Sequence, residues 1–145
     1  MNIATLCGVG RLPKAPGTWG TLAAMPLVFL PIEYRFDILL AFIIVFTIIS
    51  IPIVESIEKT HSSDPSFVVI DEAIGIWIVM LLPYFHSDIL IMAEGFILFR
   101  VLDIFKPFPI SYFNNRNGGF YVIADDIVAG LGTVLILFIQ SLFII

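Results

Sequence analysis

The sequence predicts an all-α protein, an integral membrane helical bundle, and three observations carry that reading. Hydrophobic residues make up 59% of the 145-residue chain, charged residues only 13%, and mean hydropathy is +1.06. An ordinary globular domain carries about a quarter charged residues, and a single soluble core of this length would leave too much surface in water to hide so much apolar side chain. The apolar residues also fall in long runs of the kind needed to cross a hydrocarbon core, roughly 20 residues per helix.

Five segments have, or nearly have, that length: Thr18–Pro31, Phe36–Val54, Phe67–Phe85, Asp88–Phe105 and Gly119–Ile145. The first has 14 residues with Pro26 and Pro31 inside or ending it, so it reads as a short or re-entrant helix, and the expected total is four to five membrane segments. Cations gather in short cytoplasmic loops. Five crossings with the N-terminus inside put Arg11, Lys14, Lys59, Lys106 and Arg116 on the cytoplasmic side and Arg100 near it, leaving only Arg35 outside. A re-entrant first segment makes the count nearly even, so five crossings are favoured.

No low-complexity tract or second domain interrupts residues 1–145, which read as a single membrane-embedded domain. A weak echo between "VVIDEAIGIWIVMLL" and "YVIADDIVAGLGTVLIL" is explained by chance among apolar helices at least as well as by duplication. The start, "MNIATLCGVG", lacks the charged region and apolar run of a cleavable leader, so the chain is expected to keep it. Cys7 is the only cysteine, which excludes an internal disulfide and a cysteine metal cluster, and it is read as a small buried hydrophobe. A net charge of −5 argues against a nucleic-acid partner.

The chemistry lies in the acids. Ionisable residues within membrane segments cost a few kcal/mol each and mark function by default. Asp71 and Glu72 fall near the start of the third segment, Asp103 near the end of the fourth, and Asp125 and Asp126 in the second turn of the fifth. With 1.5 Å of rise per residue, all five carboxylates lie within about 10 Å of one membrane face. Acid pairs at helix starts also interact favourably with the helix dipole, but three segments ending in acids at one face point to a shared ligand. A hard-oxygen set without His or Cys suits Mg²⁺, and a metal beside Lys and Arg is the equipment of phosphoryl chemistry.

Two stretches supply the cations. In "GRLPKAPGTWGTLAA", Arg11 and Lys14 precede Thr18, whose hydroxyl is placed to cap the helix while free N–H groups accept an anion. Pro13 and Pro16 stiffen this loop, and Gly8, Gly10, Gly17 and Gly20 allow close backbone approach. A plain helix-starting turn would look the same; beside a carboxylate cluster it reads as a phosphate cradle. In "FRVLDIFKPFPI", Arg100, Asp103 and Lys106 recur every three residues on one face before Pro107 ends the helix. A snorkelling helix end with an Arg100–Asp103 salt bridge is the plainer alternative. His61 and His86 fall in opposite loops and are read as exposed surface.

Taken together, "GVGRLPKAPGTWGTLAA", "VVIDEAIGIWI", "FRVLDIFKPFPI" and "GGFYVIADDIVAG", in that order over nearly the whole chain, resemble the phosphatidylglycerophosphatase A family of bacterial membrane lipid phosphatases. The resemblance implies Mg²⁺-dependent hydrolysis of phosphatidylglycerophosphate to phosphatidylglycerol and phosphate, in phospholipid biosynthesis, on the cytoplasmic side of the inner membrane. By position, the family's motif residues correspond to Pro16, Gly17, Thr18 and Gly20; Asp71, Glu72 and Gly75; Arg100, Asp103, Lys106 and Pro107; and Asp125, Asp126 and Gly130. Tyr121 departs from the small residue of the Gly-Gly-x-Gly run that members carry there, and Asn117 stands where one such member has His.

On this reading Asp71, Glu72, Asp103, Asp125 and Asp126 hold one or two Mg²⁺ ions. Arg100, Lys106 and the loop of Arg11, Lys14, Gly17 and Thr18 neutralise the phosphate oxygens. No Asp-x-Asp pair supports an aspartyl-phosphate, and Arg11 follows Cys7 too soon for a cysteine phosphatase loop. The alternative is an ion-coupled carrier, whose binding groups would be expected near the bilayer midplane at broken helices.

Overall fold

The computed structural model describes residues 1–61 and 65–144. Ile145, the expected end of the last segment, lies outside the described residues. Among them the ordered structure is helical: α1 (Pro16–Ala24), α2 (Ile32–Thr60), α3 (Ile70–Met80), α4 (Ile89–Phe105), α5 (Ile110–Asn114) and α6 (Gly119–Phe143), with 3-10 turns at Val9–Arg11 and Met25–Phe29.

Among the described residues, α2 and α6 are long and apolar enough to cross a membrane. Only 17% of the apolar window of α2 is buried, and Phe36, Ile44, Val45, Ile48 and Ile49 stand exposed along it. This apolar stripe on a helix 29 residues long is left uncovered by the rest of the bundle.

The third expected segment is much shorter than its apolar run. Helix α3 has 11 residues, about 16 Å of rise. It begins at Ile70 because the N–H groups of Val69 and Ile70 are taken by the Ala4 carbonyl, at 2.8 and 3.2 Å, and it ends ahead of Pro83, which cannot continue a helix ladder. All its residues except Glu72 are buried, so α3 is the central post around which the others stand. Trp77 anchors it, donating from Nε1 to the Ala24 carbonyl at 3.1 Å and packing edge-on against Phe42 and Phe46 of α2.

Glycine sets the closest crossing. A Cβ on Gly130 of α6 would lie 2.6 Å from the Gly75 carbonyl oxygen of α3, and one on Gly75 would lie 2.9 Å from the Asp126 carbonyl oxygen and 2.5 Å from the Phe99 ring. The two backbones therefore touch beside Asp126, and this contact carries the acid of α6 to the acids of α3.

The first segment is α1 followed by the 3-10 turn, and α1 starts two residues earlier than the expected Thr18 cap. Ala15, in the left-handed region at φ 48°, precedes Pro16 at the first helical position, where a proline costs no hydrogen bond and its ring presets φ. Thr18 is therefore inside the first turn, and no side chain caps the helix.

Candidate active site

Five carboxylates from three helices meet at one end of the bundle. Ligand atoms of Asp71, Glu72 and Asp126 lie within 4.8 Å of one another. Asp71 and Asp126 are buried, at 6% and 1% exposure. Glu72 Oε2 and Asp126 Oδ2 are buried and accept no hydrogen bond. Crowded buried carboxylates with unused oxygens are costly unless a proton or a cation joins them, and this all-oxygen donor set fits a hard divalent ion.

Asp103 and Asp125 face cations. Arg100 donates from Nη1 to Asp103 Oδ2, and Lys106 Nζ lies 3.4 Å from Asp103 Oδ1 and 2.5 Å from Asp125 Oδ2. Arg100 also reaches Glu72 Oε1 at 3.8 Å, which ties this clamp to the three-carboxylate group. The three-residue spacing within α4 produces the geometry. One helix face carries Arg100 and Asp103, and Lys106, turned left-handed at φ 46° as the helix ends, swings its ammonium across to α6. Burial pushes the Lys106 ammonium down, but Asp125, Asp126 and Asp103 outweigh it and hold the group above the ordinary lysine range. These acids favour its charged form.

The glycine loop reaches the same place through one residue. A Cβ on Gly17 would collide with Glu72 Oε1 and lie 3.0 Å from Arg100 Nη2, so the first turn of α1 touches the acid–arginine pair with bare backbone. The N–H groups of Gly17 and Thr18 precede the bonding ladder of α1, which begins with Trp19 N–H to the Ala15 carbonyl. The Thr18 side chain is half-buried. Arg11 and Lys14 are exposed and make no ion pair among the described residues, so these two expected phosphate-binding residues are not joined to the cluster by any contact.

Two acids that sequence reasoning missed brace α6. Glu58 Oε2 accepts from the Gly118 N–H at 2.8 Å and Glu55 Oε2 from the Gly119 N–H at 2.7 Å. Their three-residue spacing at the end of α2, and the Gly118–Gly119 pair, were the available signal: a Cβ on Gly119 would run into the Ile51 carbonyl. The histidines stay outside the site. His61 is exposed, whereas His86, expected on the surface, is half-buried. Cys7 is exposed rather than buried, because residues 1–11 form turns at the edge of the bundle.

Comparison with known proteins agrees with the geometry. The profile described as Phosphatidylglycerophosphatase A matches residues 2–141. Phosphatidylglycerophosphatase A of Escherichia coli (strain K12) is 37% identical over 127 residues, covering 86% of this chain and 73% of the relative. The Haemophilus influenzae protein of the same name is 34% identical over 138 residues, 90% of this chain and 82% of its own. A Bacteroides thetaiotaomicron protein, provisionally named a phosphatidylinositol-3-phosphatase, is 36% identical over 135 residues, 89% of this chain and 85% of its own. No solved structure matches significantly. A family match over nearly the whole chain, joined to carboxylates and cations gathered at one end of an apolar bundle, places this chain in the phosphatidylglycerophosphatase A family.

Proposed function

We propose that the chain is a Mg²⁺-dependent phosphatidylglycerophosphatase that works at the cytoplasmic rim of a bacterial inner membrane and supplies phosphatidylglycerol for lipid biosynthesis. The observation that carries this reading is the group Asp71, Glu72 and Asp126, with ligand atoms within 4.8 Å of one another and Arg100 and Lys106 beside it. Four or five segments lie in the bilayer: α2 and α6 cross it, and the shorter α1, α3 and α4 fill the bundle between them.

Asp71, Glu72 and Asp126 hold the divalent ion, with Asp103 and Asp125 behind them. When bound, such an ion neutralises phosphoryl charge and acidifies water. The chain's own groups do the rest. Arg100 and the N–H groups of Gly17 and Thr18 face the phosphate oxygens and orient the group for in-line attack. Lys106 holds the Asp103 and Asp125 carboxylates in place, and Arg11 and Lys14 draw the anionic headgroup in from the aqueous side. Water forms the new P–O bond as the bond to the lipid glycerol oxygen breaks, and a proton from the water ends on that oxygen. The products are a lipid alcohol and inorganic phosphate, and the acyl chains never leave the bilayer.

The test is phosphate release by the purified protein in detergent micelles from phosphatidylglycerophosphate, phosphatidic acid and phosphatidylinositol 3-phosphate, with Mg²⁺ and with chelator. Release from phosphatidylglycerophosphate should be fastest and should stop with chelator. Equal rates in chelator would remove the metal from the reading, and a faster rate on either other lipid would replace the substrate.

A further inference from the structure

The far end of the bundle holds a charge that the phosphatase reading leaves unused. Arg35 lies in the first turns of α2 and is 9% exposed. Its Nη2 donates to the Leu30 carbonyl at 2.6 Å, but Nε and Nη1 are buried without a partner. No ion pair among the described residues includes Arg35. It lines a cavity of about 140 Å³ with His86, Ile32, Phe36, Met80 and Leu82, room for several waters of about 30 Å³ each. The end of α3 that faces it offers only the partial negative charge of a helix C-terminus, and a buried charge short of a counter-ion is strongly disfavoured. The start of α2 adds a positive dipole end of its own. Apart from Arg35 and His86 the cavity wall is apolar, and Ile32 and Phe36, which line it, are exposed at 57% and 55%. A soluble anion gains nothing from such a surface; an acyl chain does.

We propose that Arg35 and His86 form a second, non-catalytic site that binds the phosphate diester of a membrane glycerophospholipid, its acyl chains lying along the exposed start of α2. Desolvation and the charge of Arg35 both push the His86 imidazole down, and in either protonation state the ring has an N–H to donate to a phosphate oxygen. The site lies at the opposite end of α3 from Asp71, about 15 Å of rise away, so it stands whether or not the catalytic reading does.

Binding of phosphatidylglycerol to the full chain in neutral detergent, counted by native mass spectrometry, tests this against neutral diacylglycerol and inorganic phosphate. The unmodified protein should retain phosphatidylglycerol. Arg35→Gln should bind it about ten-fold or more weakly, the loss expected for a charge-assisted pair, while phosphate release at the carboxylate end stays within about two-fold of the unmodified rate. Unchanged retention in Arg35→Gln, equal retention of diacylglycerol, or displacement of the lipid by millimolar inorganic phosphate would overturn the proposal. If the variant does not fold, hydrogen exchange on the unmodified protein decides: phosphatidylglycerol should slow exchange over residues 30–36 and 81–88 where diacylglycerol does not, and equal exchange with both lipids overturns it.

Discussion

Asp71, Glu72 and Asp126 stand beside Asp103 and Asp125 in one cluster, yet the two groups differ in what they touch. The pair is matched by Arg100 and Lys106, two anions against two cations within salt-bridge reach. The group of three meets the edge of Arg100 at Glu72 and keeps buried oxygens on Glu72 and Asp126 without hydrogen-bond donors. Five carboxylates against two cations leave three negative charges in excess, and the structure concentrates the excess at one point. The pair is built to hold its shape alone, and the three are built to be completed. Activity should therefore fall on substitution in either group, whereas metal-free stability should respond with opposite signs in the two.

The largest effect should come from the group of three. Asp71→Asn or Asp126→Asn removes a ligand oxygen's charge where several kcal/mol of transition-state stabilisation are at stake, about 10³-fold or more in phosphate release. Each should also relieve repulsion among the remaining acids, so thermal unfolding of the chelator-treated variant in detergent should occur at or above the midpoint of the unmodified protein. A variant that loses activity and metal-free stability together would erase the distinction between the two groups.

A smaller loss of activity, with stability moving the other way, is expected from Asp103→Asn. It leaves Arg100 and Lys106 short of an anion, costing about 1–3 kcal/mol of stability. It slows phosphate release about 10- to 100-fold, as loss of groups that orient metal ligands does. Mg²⁺ dependence persists, because the three-carboxylate group is intact. Rates against Mg²⁺ concentration, with unfolding in chelator, separate this variant from the first pair.

The gathering of charge at one end was legible because it follows from distance along the chain: an acid or cation one or two turns from a helix end stays near that end however the helices pack. The Arg100–Asp103–Lys106 face was legible too, since a three-residue spacing is local. The division of the five acids was not. Which carboxylate meets a cation depends on the Gly75–Gly130 crossing, where a backbone contact with no side-chain signature sets the register of α6 against α3. The length of α3 was hidden for a related reason. Apolar composition continues from Phe67 to Phe85, but the Ala4 carbonyl, distant in sequence, occupies the N–H groups just before the helix begins. Thr18 as a cap failed on competition, because Pro16 is the better first residue of a helix than Thr18 is its cap. The role of Glu55 and Glu58 at the start of α6 is tertiary and left only a faint trace in their spacing.

That brace supplies the smallest effect. Glu55 accepts the N–H of Gly119 at 2.7 Å, six residues before Asp125, and its side chain is 44% exposed. Glu55→Gln keeps an acceptor oxygen in place and loses only its charge, so phosphate release should stay within about three-fold of the unmodified rate. Glu55→Ala leaves the N–H of buried Gly119 without its acceptor, which costs about 1–2 kcal/mol and loosens the turn that carries Asp125 and Asp126. Because a few tenths of an ångström at a metal-binding acid cost rate more readily than affinity, kcat should fall further than KM rises. An alanine variant that matched the glutamine variant in both stability and kcat would mean that the crossing at Gly75 and Gly130 alone fixes the register, and that the acids at the end of α2 contribute only surface charge.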